Sequence, residues 1–145
     1  MAVSAKLFGK FPVSAFNQEV KLSTDALKCA LFTSAATINQ DTMQYFADIT
    51  SGEVANGNGY TTGGVLLTSV QVTYDAATNT TKVDCADPVW NSSTITANRA
   101  VFYDSTPSTN KPLIGWADLD GDKSSSNSTF TVQLDSNGLI NTQVA

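Results

Sequence analysis

The sequence predicts an all-β protein, an antiparallel β-sandwich of jelly-roll-like kind with one short helix. Short Val, Phe and Tyr runs sit beside threonine, and the 145 residues include 19 threonines, 15 serines and 11 asparagines. That is the composition of strands and turns. About eight such runs follow at regular spacing, broken by Asn-Gly, Asp-Gly and proline, with no alternation of strand and helix, a pattern of antiparallel sandwiches and barrels. A single stretch, near residues 41–48, has apolar residues at helical spacing.

From the N-terminus, Ala5–Phe11 is short and apolar, and Pro12 forbids a continuing central strand, so this segment reads as an arm or an edge strand. Residues 1–19 are accordingly set apart from a single sandwich domain over 20–145. Ala26–Thr33 (ALKCALFT) is a buried strand by its length. Asp41 or Asn39 can cap a helix over about 41–48, where Met43 and Phe46 recur on one face. Ser51–Gly64 holds five glycines in fourteen residues, which relaxes the backbone, with Tyr60 as its anchor.

Val65–Tyr74 and Thr80–Cys85 flank Asp75–Asn79 as a hairpin with a five-residue connection, placing Val70, Val72 and Tyr74 on one face. Val89–Asn91 and Asn98–Asp104 are the next strands. In Leu113–Leu119, period-2 alternation sets Leu113, Ala117 and Leu119 against Ile114 and Trp116. Phe130, Val132 and Leu134 alternate strictly in Ser128–Leu134, and Ser136-Asn137-Gly138 turns the chain into a last strand, Leu139–Val144.

The charge balance narrows the function classes. With a net charge of −5 the chain lacks the basic stripe of a nucleic-acid binder. No apolar run approaches the ~20 residues that span a membrane, and the start, MAVSAKLFGKF, has no continuous apolar core of a signal peptide, so synthesis in the cytoplasm is the expectation. Residues 1–32 differ from the rest: Lys6, Lys10, Lys21 and Lys28 stand against Glu19 and Asp25. The lysines either meet an acidic partner or simply keep the surface soluble.

Chemistry has few candidates. There is no histidine, which removes the commonest general base and metal ligand together. Asp118, Asp120 and Asp122 have the alternating spacing of a calcium loop, but Thr129 stands where a bidentate glutamate belongs, so the alternative is a hairpin turn at Asp120-Gly121. Asp84 and Asp87 have nothing to hold them across a substrate. GNGYTTGG lacks the lysine of a phosphate loop. Cys29 and Cys85 each alternate with apolar residues and read as small hydrophobes. Trp90, Trp116, Tyr60 and Tyr103 serve either the core or a sugar-stacking face. No catalytic residue, cofactor or small-molecule substrate is expected.

The segments Asn39–Thr50 (NQDTMQYFADIT), Gly57–Gly64 (GNGYTTGG), Val72–Thr80 (VTYDAATNT), Thr94–Asp104 (TITANRAVFYD) and Pro112–Asp118 (PLIGWAD), in that order, resemble small virion proteins of tailed bacteriophages, most closely capsid decoration or cement proteins. The resemblance spans most of residues 20–145 and rests on turn and strand signatures. It implies a structural protein on the capsid surface of the virion. Such a protein bridges neighbouring copies of the major capsid protein and associates with itself, commonly as a homotrimer. The rival is a carbohydrate-binding β-sandwich module on a tail or fibre, which an exposed Trp116 and Tyr103 would favour. The expected shell contact is the N-terminal segment, where Leu7, Phe8, Phe11 and Phe16 form an apolar set beside Lys6 and Lys10. The alternative is that this segment closes the protein's own sandwich as an edge strand.

Overall fold

The computed structural model describes residues 2–144; Met1 and Ala145, the outer ends of the expected 1–19 and 20–145 divisions, lie outside the described residues. In chain order the elements are β1 (Lys6–Leu7), α1 (Phe11–Phe16), β2 (Leu27–Phe32), a 3-10 turn (Phe46–Asp48), β3 (Val65–Leu66), β4 (Gln71–Asp75) and β5 (Thr80–Asp84). They continue with β6 (Val89–Ser93), β7 (Thr96–Asp104), β8 (Leu113–Ser124), β9 (Ser128–Thr131) and β10 (Ile140–Gln143). All named strand pairs are antiparallel, in sheets of order β1-β8-β7-β2-β3, β10-β5-β4 and β6-β9. The protein is an all-β sandwich with one short α-helix.

The five-stranded sheet is the middle layer, and its apolar runs explain why. Leu27, Cys29 and Leu31 of β2 join Ala100 and Phe102 of β7 on one face, where they meet Val83, Trp90, Phe130 and Ile140 from the two smaller sheets. Ala30 and Phe32 join Val101 and Tyr103 on the other face, beneath Phe8, Met43, Phe46 and Ile49. A strand covered on both sides cannot alternate apolar with polar, which is why these two read as continuous apolar runs. Phe46 stacks on Tyr103 at 4.0 Å between ring centroids.

The helix lies elsewhere than expected. Residues 41–48 form turns and the three-residue 3-10 turn, although Met43 and Phe46 do face the sheet. Backbone pairing diverts the hydrogen bonds that a helix needs: Leu113 N–H donates to the Gln44 carbonyl (2.8 Å), Phe46 N–H donates to the Lys111 carbonyl (2.8 Å), and Tyr45 bridges Pro112. The α-helix is instead Phe11–Phe16, with Pro12 in its first turn. There the missing N–H costs nothing and the fixed φ favours helix. Proline was the right breaker for a strand and the right starter for a helix.

Three further departures have local causes. Val65–Tyr74 is two strands: the chain leaves the middle sheet after β3, passes Ser69 at φ 55°, and enters the three-stranded sheet as β4. The hairpin connection is four residues, since Asp75 pairs with Thr80. In β8, Phe102 pairs with Gly115 but Tyr103 with Leu113, so Ile114 is an inserted bulge residue. The bulge shifts the phase, placing Ile114 with Ala117 and Leu119 on one face and Leu113 with Trp116 on the other.

The glycine-rich segment 51–64 is tied down. Tyr60 Oη donates to Glu53 Oε1 (2.8 Å) and accepts from Leu31 N–H (3.1 Å), while Tyr103 Oη donates to the Gly63 carbonyl (2.7 Å). Gly64, at φ +80°, lies so close to β2 that a Cβ would stand 1.8 Å from the Cys29 carbonyl oxygen. Its glycine permits close approach of two backbones.

Candidate partner-binding surface

The expected contact set Lys6, Leu7, Phe8, Lys10, Phe11 and Phe16 divides between core and surface. Lys6 and Leu7 are β1, the edge strand paired with Trp116 and Gly115 of β8. The Lys6 ammonium lies over the Trp116 ring at 5.2 Å from its centroid, a cation–π contact. Phe8 is 0% exposed and Phe11 7%, in the cores on the two faces of the middle sheet. The expectation that Phe8 and Phe11 are free to touch a partner is therefore corrected. The turn into α1 carries them inward, with Phe8 N–H donating to the Ile114 carbonyl (3.1 Å) and Phe11 N–H to the Phe8 carbonyl (3.0 Å).

What remains outside is the far face of α1. Phe11 and Ser14 point inward, and Ser14 Oγ accepts from Gln44 Nε2 (3.2 Å). Val13 and Phe16, three residues apart and so neighbours on the helix surface, are 50% and 85% exposed. Val13 was missed by sequence reasoning; its signal was the three-residue spacing to Phe16, visible once Pro12 is taken as a helix start. Lys10 occupies the N-cap position. Close by, the Asp48 carboxyl is held below the usual carboxylate range by the N–H groups of Tyr45 and Gln44, with the Lys10 charge adding to this. Tyr45 Oη donates to Glu19 Oε2 (3.2 Å). The result is an exposed apolar pair on a short, firmly docked helix, bordered by one cation and by engaged acids.

The other candidate groups lie apart from this surface. Asp118 faces Arg99 (Nη1 to Oδ1, 3.7 Å) and accepts from Asp120 N–H (2.8 Å), whereas Asp122 accepts from Asn98 Nδ2 (2.9 Å). Asp118 and Asp122 are thus engaged by different residues of β7, and among the described residues no three His, Cys, Asp or Glu side chains converge on a metal position. Tyr60, Trp90 and Tyr103 are each 2% exposed and Trp116 is half-buried under Lys6, so these aromatics do not present a flat face to solvent. Cys29 is buried and Cys85 half-buried, both as free thiols, and burial pushes each thiol up.

One acidic pair was not foreseen. Asp104, 0% exposed at the end of β7, accepts from Thr106 N–H (2.9 Å) through Oδ1, while its Oδ2 meets no N–H or hydroxyl donor. The Asp25 carboxyl lies beside it. Burial first, and the neighbouring Asp25 carboxyl second, push the Asp104 carboxyl up to about 6. Ala26 N–H donates to Thr106 Oγ1 (2.7 Å), which fastens the turn before β2 to the chain just after β7.

Comparison with protein-family models, with known proteins and with solved structures finds no match for this chain.

Proposed function

We propose that this protein is a bacteriophage capsid decoration protein that acts by contact and not by catalysis. It binds the outside of the assembled head and bridges neighbouring copies of the major capsid protein. The observation that carries the reading is the exposed pair Val13 and Phe16 on α1, beside Lys10. Leaving a phenylalanine 85% exposed on an otherwise docked helix forgoes about 1.5–3 kcal/mol of burial. A surface that regains this on meeting a partner accounts for it. The ordered resemblance to virion proteins over most of residues 20–145 supports this partner, and a surface that is acidic overall argues against nucleic acid. Association with itself as a homotrimer belongs to the same proposal, because linked copies turn a modest contact into tight attachment.

The test is co-sedimentation with purified, expanded heads that lack the protein. Wild type is expected to pellet with heads and to remain in solution with unassembled capsid subunits. The double variant Val13→Ser/Phe16→Ser is expected to keep its melting temperature and lose most head binding. A double variant that binds as wild type does would overturn the assignment of this surface. Wild type that ignores heads would overturn the function.

A further inference from the structure

We infer that β4 is a second interaction surface, which pairs edge to edge with β4 of another copy of this chain about a two-fold axis. In the sheet β10-β5-β4, β4 has, among the described residues, a partner on one side only, and all five of its residues are exposed. Val72 and Tyr74 are 47% and 57% exposed. Free edges are normally blunted by shortness, by a bulge, by proline or by lysine. The outer strands β1 and β3 are two residues each, and β6 is bulged between Trp90 and Ser93. QVTYD has none of these protections, and its register with β5 is unbroken over five pairs.

The occupant is argued from the strand's own sequence. An antiparallel copy overlaps all five residues in one register alone, centred on Thr73. Val72 then faces the copy's Tyr74, Tyr74 faces its Val72, Gln71 faces its Asp75, and Thr73 faces itself. Aromatic with β-branched and Thr with Thr are stabilising cross-strand pairs, and no like charges stand opposite. Val72 also lies in the row Val72–Val83–Ile140, whose inner members are 2% and 5% exposed, so the contact would extend an apolar face already formed. A strand of five residues buries less than a standard stable interface, so the association is weak in free solution and strengthens where copies are crowded. It lies on a different sheet from α1 and does not depend on the proposed function.

Cysteine cross-linking in the full chain reads the register directly. In a Cys85→Ala background, Thr73→Cys places two thiols opposite each other, and air oxidation with a copper catalyst should give a covalent dimer on a non-reducing gel. Gln71→Cys should not, since two copies of residue 71 are four residues out of register, ~13 Å apart, and a disulfide spans less than ~7 Å between Cα atoms. Adding Val72→Lys to the Thr73→Cys chain should abolish the dimer. Absence of dimer at position 73 in the concentrated protein, or equal yields at 71 and 73, overturns the proposal.

Discussion

The middle sheet and the three-stranded sheet are built from similar residues and differ in what covers them. In β7, five residues (Ala97, Ala100, Val101, Phe102 and Tyr103) lie in one core or the other, and Ala100, Val101 and Phe102 are each 0% exposed. In β4, Val72 and Tyr74 occupy equally regular positions and stay about half in water. Alternation along a strand reports that a strand exists, because the period of two is a backbone property. It does not report whether a second layer arrives. The middle sheet is the folding core, and the three-stranded sheet is a projecting surface attached through Val83 and Ile140.

Substitutions should divide along that line. Phe102→Ala, in the middle sheet, should lower unfolding stability by about 3–5 kcal/mol in urea titration. A cost below ~1 kcal/mol would mean that the sheet is not the core. The next effect is pH-dependent and sits at the end of β7 in the same sheet. The Asp104 carboxyl, raised to about 6, binds its proton more tightly in the folded chain than the ordinary ~3.9 of an unfolded aspartate. Its stabilising contribution is therefore complete below about pH 4 and is lost as pH rises through about 6. The effect is on the order of 2 kcal/mol. Wild type should lose stability from about pH 4 to about pH 7, and Asp104→Asn should flatten that slope; parallel slopes would contradict the raised Asp104 carboxyl. The smallest effect belongs to the projecting sheet. Tyr74→Ala, measured in dilute protein, should change stability by no more than about 0.5 kcal/mol. A larger loss would show that this face is covered within one chain.

The strands around Ala26–Thr33, Asn98–Asp104 and Ser128–Leu134 were legible because their apolar content survives any choice of covering layer. The errors arose where a remote segment decided the outcome. Residues 41–48 have helical spacing, but their carbonyl and N–H groups at positions 44 and 46 are claimed by Lys111 and Leu113, more than sixty residues on. Ile114 looks like an ordinary strand residue until β7 sets the register and makes it a bulge. The candidate surface was half legible. Phe16 and Lys10 were found from the apolar set beside lysines, whereas Phe8 and Phe11 belong to the cores. No count of apolar residues separates Phe11 from Phe16; the helical turn that points one inward and the other outward does, and Pro12 was its sign.

Hydrogen–deuterium exchange of the protein bound to assembled heads, compared with the free protein, tests the central claim most directly. Slowed exchange is expected over Lys10–Asn17, joined by β4 where crowded copies pair, with β2, β7 and β8 unchanged because they are already protected in the free chain. Protection elsewhere with none over Lys10–Asn17, or no protection anywhere on bound particles, would contradict it.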